Sequence, residues 1–314
     1  MRLKFTLAWL EDFSVASRRR SVDHPGFTHT AHAAHATEEP PLPSTPAPAR
    51  PLPERVYFFS TCVVDMMAPQ AGVDAISLIQ AAGIAVDFPP AQSCCGQPAH
   101  SSGYTDEARR VARAQLDLFP QPWPIVVPSG SCAGMMVHHW PRLFAADAAL
   151  AARAGDIAAR VVEFSAFARD ALRLCDFADA TRASAAAPIK VALHTSCAAR
   201  REMGTHLPSE AVLRALPGVQ LVQQARVVEC CGFGGTFSAR HPAISGAMVN
   251  DKLDAIRDSG ADVLVSADCG CLLNLHHAAD RRRAAGETLP RCVHLASFVR
   301  ERQGAADAAR QVTE

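Results

Sequence analysis

Cysteine is the residue type in this chain with the clearest capacity for chemistry. The chain has 314 residues and contains 11 cysteines. It is far longer than the small secreted scaffolds that disulfides stabilise, and in a reducing compartment clustered cysteines serve more often as metal ligands or redox groups. Thiolate sulfur suits zinc or iron–sulfur clusters, and it suits magnesium or calcium poorly. The cysteine content therefore predicts metal binding or redox chemistry.

Eight of the cysteines recur in phase along the chain. Each half contains a single cysteine, an adjacent cysteine pair followed by glycine, and a further cysteine. Cys62 precedes Cys197 by 135 positions, and Cys95 precedes Cys231 by 136. Such a repeat indicates a duplicated domain. The predicted ligands form a first and a second quartet: Cys62, Cys94, Cys95 and Cys132, then Cys197, Cys230, Cys231 and Cys271.

The spacing within each quartet is unlike that of common zinc sites. Structural zinc sites usually separate a cysteine pair by two to four residues, and the sequence contains no Cys-x-x-Cys. The same absence weighs against a thioredoxin-like dithiol. A disulfide between the neighbours Cys94 and Cys95 would be strained. Gly96 and Gly232 would let the backbone approach a cluster and donate N–H groups to its sulfur atoms.

Three further cysteines lie outside the quartets, and two of the 13 histidines are close in sequence to quartet cysteines. Cys269 is near the second quartet in sequence and is open to three interpretations: a ligand, a resolving thiol or a bystander. Cys175 and Cys292 are interpreted as small buried apolar residues. For His100 and His194 we expect a hydrogen bond near a centre, or an ordinary capping role, rather than direct ligation.

Short β-like runs alternate with helical patterns around these cysteines. Apolar runs predict strands at 56–60, 84–88 and 125–127, and again at 190–194, 219–222 and 263–265. Helical periodicity predicts helices at 73–82, 106–119, 209–216 and 244–259. The alternation predicts an α/β fold with two similar cysteine-rich domains and mostly parallel sheets. Loops after the carboxyl ends of parallel strands gather at one edge, which would bring each quartet together.

Composition divides the chain into four segments. Residues 1–53 carry scattered histidines and a proline-rich run, and they are predicted to form a disordered N-terminal extension. Residues 54–150 and 189–303 are the two predicted cysteine-rich domains. The alanine- and arginine-rich stretch 151–188 is predicted to be a helical connector between them.

Charge and hydropathy exclude other classes of function. The 31 basic and 31 acidic residues give a net charge of zero, which argues against nucleic-acid binding. No run of about 18 apolar residues predicts a transmembrane helix. No apolar run follows the basic residues 18–20, so a secretory signal is not predicted either. We expect a cytoplasmic protein.

Several longer motifs resemble a known family. They are Ser-Cys-Cys-Gly-Gln-Pro-Ala at 93–99, His-Thr-Ser-Cys at 194–197, Cys-Cys-Gly-Phe-Gly-Gly-Thr-Phe-Ser at 230–238 and Cys-Leu-Leu-Asn at 271–274. With them, roughly residues 55–300 resemble the lactate utilization protein A family. That family is related to the cysteine-rich subunit of heterodisulfide reductase and to the iron–sulfur subunit of glycolate oxidase, which carry the same CCG cysteine-rich domain twice.

The resemblance implies an oxidoreductase subunit that transfers electrons through iron–sulfur clusters. It implies two clusters of the 4Fe-4S type, held by the eight cysteines of the two quartets. The complex would oxidise L-lactate to pyruvate with two partner subunits, one of them a ferredoxin-like iron–sulfur protein. The sequence has no flavin or nicotinamide motif, so hydride chemistry on lactate would need a partner or a diffusible acceptor.

The chain also departs from heterodisulfide reductase at two positions. That enzyme has a further cysteine three positions before the last cysteine of each motif, where this chain has Ser129 and Asp268. The departure weighs against non-cubane clusters and disulfide reduction. Two alternatives stay open at this point. One is a thiol–disulfide oxidoreductase of the heterodisulfide reductase type, using Cys230, Cys231 or Cys269. The other is a structural subunit stabilised by zinc.

Overall fold

The computed structural model describes residues 52–174 and 188–313. The extension predicted for residues 1–53 falls outside this part of the chain apart from its last two residues, and Cys175 falls outside it as well. Within the described residues, no helix combines the length and apolar character needed to span a bilayer.

The first half of the fold is a four-stranded parallel sheet with the order β2-β1-β3-β4. Because sequential strands are parallel, each connection crosses back over the sheet through helices. The elements in chain order are β1 (Arg55–Phe58), α1 (Cys62–Met67), α2 (Pro69–Ala81), β2 (Ala85–Asp87), α3 (Gln97–Ser101), α4 (Thr105–Gln115), β3 (Ile125–Val127), α5 (Gly130–Gly134), α6 (Trp140–Leu143), α7 (Ala148–Arg160), β4 (Val161–Glu163) and α8 (Phe164–Asp170).

The second half repeats this arrangement with the sheet order β6-β5-β7-β8. Its elements are β5 (Ile189–Leu193), α9 (His206–Ala215), β6 (Val219–Val222), α10 (Phe237–Arg240), α11 (Pro242–Asp258), β7 (Val263–Ser266), α12 (Cys269–Ala284), β8 (Arg291–His294) and α13 (Leu295–Thr313). Wider helical turns lie at Met135–His139, after the last cysteine of the first half, and at Ala199–Met203, after the first cysteine of the second half.

The predicted fold class is confirmed. Six strands lie where the sequence predicts them, with ends that differ by at most two residues. The fourth strand of each sheet was not predicted. β4 lies inside the stretch 151–188, between the helices α7 and α8, and it pairs with β3. A strand of three residues within an alanine- and arginine-rich segment carries too little of the two-residue alternation to be recognised.

The two halves exchange their last helices and share a core. α13, which follows the fourth strand of the second half, packs on α2 of the first half, and α8 packs reciprocally on α9. One hydrophobic cluster contains Phe58 and Val126 of the first half together with Val265 and Phe298 of the second. Each such side chain contributes about 1.5–3 kcal/mol on burial, so neither half buries its apolar surface alone.

Candidate metal centres

The first quartet gathers at the carboxyl ends of three parallel strands. Cys62 begins α1, just after β1, and its Sγ lies 3.5 Å from the Sγ of Cys94 in the loop after β2. Cys95 Sγ lies 3.2 Å from the Sγ of Cys132, which is buried in α5 after β3. Sequence reasoning predicted these four residues to meet, and the structure brings them together.

The second quartet repeats the arrangement. Cys197 follows β5, the pair Cys230 and Cys231 follows β6, and Cys271 lies in the first turn of α12. A ring nitrogen of His194 and the Sγ atoms of Cys231 and Cys271 all lie within 4.8 Å of one another. Four soft thiol donors with a neighbouring imidazole form a set that fits iron–sulfur clusters or zinc.

Each cysteine pair is shaped by the glycine that follows it. Gly96 has a φ of 88° and Gly232 a φ of 81°, a region that L-residues avoid. In this turn the N–H of Gly96 donates to Cys94 Sγ at 3.4 Å, and the N–H of Gly232 donates to Cys230 Sγ at 3.3 Å. The predicted backbone donors are therefore directed at sulfur.

The thiol pKa values differ within each quartet. Hydrogen bonds from the thiols of Cys62 and Cys95 lower the pKa of Cys94 to about 3. In the second quartet, hydrogen bonds from two thiols likewise lower the pKa of Cys230 to about 2. Donating those same hydrogen bonds raises the pKa of Cys62 and Cys197. The first cysteine of each pair therefore forms the thiolate, the form that binds metal, more readily than an ordinary cysteine does.

Side chains from the helices after the last cysteines hold the second cysteine of each pair. Trp140, fully buried at the start of α6, donates its indole N–H to the carbonyl of Cys95 at 2.8 Å. Asn274 in α12 donates to the carbonyl of Cys231, also at 2.8 Å. The two pairs are therefore fixed in the same way by different residues.

Seven of the eight quartet cysteines, all except Cys94, line a single cavity of about 200 Å³. Thiols from both halves contribute to its wall: Cys62, Cys95, Cys132, Cys197, Cys230, Cys231, Cys269 and Cys271. The repeat in the sequence predicts one quartet in each half, but it does not reveal that the halves face each other.

Asp268 joins the halves in the wall of this cavity. Its buried carboxylate accepts hydrogen bonds from the hydroxyls of Ser129 at 2.8 Å, Ser131 at 2.5 Å and Ser196 at 2.6 Å, and from the backbone N–H of Ser131. Ser129 and Asp268 each lie three positions before the last cysteine of their quartet. These positions contact each other directly across the two halves.

Cys269 and Cys292 occupy contrasting environments. Cys269 is buried in the cavity wall, in a small cluster with Val64 and Ala71 of the first half, and burial raises its pKa. Cys292 lies in β8 away from the cavity, and partial burial raises its pKa to about 11. Cys292 was interpreted as a small buried apolar residue, and the structure places it away from the cavity but only partly buried.

The two histidines singled out in the sequence also differ. His100 stacks against the ring of His139, with ring centroids 4.6 Å apart. His194 lines the cavity and is almost fully buried, and neither ring nitrogen has a hydrogen-bond partner among the described residues. Burial and the nearby Lys252 lower the pKa of His194 to about 3, so its imidazole is neutral.

Comparison with known protein families finds the same domain in each half of the chain. Residues 56–137 and 191–276 match the family model of the CCG cysteine-rich domain. The fold and the repeated thiols thus define a protein of two CCG cysteine-rich domains.

Lactate utilization protein A of Macrococcus caseolyticus is 38% identical over 228 residues, covering 73% of this chain and 90% of that protein. The protein of the same name from Bacillus cytotoxicus is 36% identical over 248 residues, covering 79% and 99%. This chain belongs to the lactate utilization protein A family.

A solved structure shares the fold at much lower sequence identity. The crystal structure of a hypothetical protein from Helicobacter pylori superposes with a TM-score of 0.56 at 11% identity. The match covers 83% of this chain and 50% of the other. It supports the fold alone.

Proposed function

We propose that this chain is the iron–sulfur electron-transfer subunit of a cytoplasmic complex that oxidises L-lactate to pyruvate. The eight cysteines of the two quartets would hold two clusters, each of the 4Fe-4S type. Membership of the lactate utilization protein A family supports the pathway, and the thiol-lined cavity supports the cofactor.

The size of the shared cavity is the observation that carries the cofactor proposal. Its volume is about 200 Å³, whereas roughly 10–15 Å³ of such volume suffices for one water molecule. Single zinc ions bound by four sulfur atoms would need little of this space. Inorganic clusters bound by thiolates on both sides of the cavity would occupy it.

The residues of the cavity also favour electron transfer over chemistry on lactate itself. Bound iron–sulfur clusters supply one-electron transfer at potentials that hydrogen bonds and burial adjust. Among the described residues, the wall contains thiols, hydroxyls, His194 and Asp268, but no lysine or arginine. A carboxylate such as lactate is normally bound by such cations. Lactate would therefore be oxidised in a partner subunit.

An exposed methionine pair supports the proposal of partner subunits. Met66 and Met67 are 74% and 55% exposed, and they lie in α1 directly after Cys62. Methionine is enriched at protein interfaces relative to the rest of the surface. We propose two partners, one of them a ferredoxin-like iron–sulfur protein that exchanges electrons with the centres.

The first test is iron and acid-labile sulfide analysis of anaerobically purified protein. We expect equal amounts of iron and sulfide, and an electron paramagnetic resonance signal after reduction. Cys95→Ser and Cys231→Ser should each remove about half of the iron, because each substitution removes one ligand of one quartet. Cys292→Ser is the matched control and should retain all of it, since Cys292 lies outside the cavity.

The alternative with a structural basis is zinc. The Sγ separations of 3.2 and 3.5 Å in the first quartet are close to the spacing of about 3.8 Å expected around one tetrahedral zinc ion. About two zinc ions per chain, with no iron after anaerobic purification and reconstitution, would replace the electron-transfer proposal by a structural one. Reduction of the iron–sulfur signal by L-lactate, only when partner subunits are added, would support the substrate.

A further inference from the structure

The two quartets are built alike, yet the residues around them differ in charge and hydrogen-bonding capacity. Equivalent positions can be identified from backbone contacts. Phe59 follows β1 and donates its N–H to Val126 at 3.0 Å, and His194 follows β5 and donates to Val265 at 2.8 Å. Both lie three residues before the first cysteine of their quartet. An apolar ring beside the first quartet is thus replaced by an imidazole beside the second.

His194 is positioned to donate a hydrogen bond to sulfur. A neutral imidazole carries one N–H, and leaving such a group unpaired inside a protein costs roughly 1–3 kcal/mol. His194 is 1% exposed, and neither of its ring nitrogens has a partner among the described residues. The Sγ atoms of Cys231 and Cys271 lie within 4.8 Å. Sulfur of a cluster bound at the second quartet would be the acceptor for this donor.

A buried lysine makes a second difference between the halves. A Cβ on Gly96 would meet the carbonyl of Ala108, and one on Gly232 would meet that of Ser245. Gln115 lies seven residues after Ala108, and Lys252 lies seven residues after Ser245, so the two positions are equivalent. Both are 1% exposed and both hold the segment that leads to the cysteine pair. Gln115 does so with a neutral amide that bonds Ser93.

Lys252 introduces a positive charge at the corresponding place. Its ammonium donates to the carbonyls of Arg226 at 2.8 Å and Val227 at 3.2 Å, which favours the charged form. Burial lowers the pKa of Lys252, whereas its electrostatic interactions with Glu229, Cys231 and Cys197 raise it. A charge screened from water acts more strongly on its neighbours than an exposed one.

At two further positions the second half again carries more positive charge than the first. Asp65 and Met66 in α1 correspond to Arg200 and Arg201 after Cys197. Arg201 lowers the pKa of Cys197, so its field reaches the second quartet. The negative charge of Asp268 opposes these positive charges. Its carboxylate accepts hydrogen bonds from serines of both halves, so it does not belong to one quartet alone. The two arginines are more solvated than Lys252, and we assign them a minor part.

We propose that His194 and Lys252 give the cluster at the second quartet the more positive reduction potential. Electrons delivered to the chain then pass from the first quartet to the second and reside there. N–H donors and positive charges stabilise the reduced cluster, because reduction adds negative charge. The transfer moves one electron between the two centres, and no bond is made or broken. This inference rests on the proposed iron–sulfur function.

The test is a redox titration of the purified, fully loaded protein, followed by electron paramagnetic resonance. Cys95→Ser and Cys231→Ser each leave a single centre, which assigns the two signals. We expect the second centre to be reduced first. His194→Phe and Lys252→Gln should each make reduction of the second centre at least tenfold less favourable, equivalent to about 59 mV for one electron.

Two further variants separate tuning from structural damage. His194→Gln retains an N–H donor and should recover part of the shift. Phe59→Leu changes the equivalent position of the first half and should leave the second potential unchanged. The inference is overturned if His194→Phe retains both clusters with unchanged potentials, or if the first centre is reduced first. Wild-type protein without iron would instead refute the proposed function.

Discussion

At the scale of single residues, the cysteine pairs depend on glycines that no other residue can replace. A Cβ on Gly232 would lie 2.8 Å from the carbonyl oxygen of Ser245, and one on Gly96 would lie 3.1 Å from that of Ala108. Both glycines also have positive φ. The sequence predicted their importance from the motif, but only the structure shows that helix backbones, α4 and α11, pack against them.

We expect Gly232→Ala to damage its quartet more than Gly96→Ala damages the other. Both substitutions strain a left-handed residue by roughly 1–2 kcal/mol, but the contact at Gly232 is the closer one. Iron content and thermal unfolding measure the effect. Gly83→Ala is the control for strain alone, because Gly83 has a φ of 80° and its Cβ would meet nothing within 4 Å. Equal iron loss in all three variants would contradict the expectation.

At the scale of elements, the fourth strand of each sheet ends in a residue that caps the following helix. Glu163 ends β4 and accepts hydrogen bonds from the N–H groups of Ser165 and Ala166 in α8. His294 ends β8, accepts from the N–H of Ala296, and bonds the carbonyl of Pro128 through its other nitrogen. Both side chains are buried where the halves meet. The sequence did not predict these two strands, so it could not predict the caps at their ends.

Glu163 predicts a pH dependence of stability. Burial raises its pKa from 4.5 to about 7, assisted by the charge of Asp268. Between these values the folded chain keeps a proton that the unfolded chain has released, so stability falls as pH rises. The stabilisation that the protonated Glu163 gives the folded state is complete below about pH 4.5 and is lost by about pH 7. This changes the free energy of unfolding by roughly 3 kcal/mol.

Glu163→Gln cannot ionise and should lose less stability than the wild type between pH 5 and pH 8. Urea unfolding at the two pH values measures the difference. Glu107→Gln, at an exposed position in α4, is the control and should follow the wild type. Parallel behaviour of Glu163→Gln and the wild type across this range would show that Glu163 ionises without cost in the fold.

At the scale of the whole molecule, the exchanged helices make two repeats into one cooperative unit. The sequence predicted two domains from the cysteine repeat, and each half does have its own sheet. Their shared core was not predictable, because periodicity shows which face of a helix is apolar but not which partner covers it. The same limit explains why the common cavity and the hydrogen bonds of Asp268 were not foreseen.

We therefore expect one unfolding transition, seen identically from both halves. Fluorescence of the buried Trp140 reports on the first half. Hydrogen exchange of β5 and β7 reports on the second. The two midpoints should coincide, as two-state unfolding requires. Expression of residues 1–187 without 188–314 should give no stable protein, since α2 would lose α13. Two separated transitions would contradict this expectation.

The hydrogen bond between Ser129 and Asp268 has a consequence for the history of the chain. Equivalent positions of two copies face each other only at the symmetry axis that relates them. In a dimer of identical subunits, the same residue would stand on both sides of that axis. Two facing aspartates would repel each other, and two facing serines would lack the charge. A serine that faces an aspartate requires two separately encoded copies, so this bond arose after the duplication of an ancestral sequence.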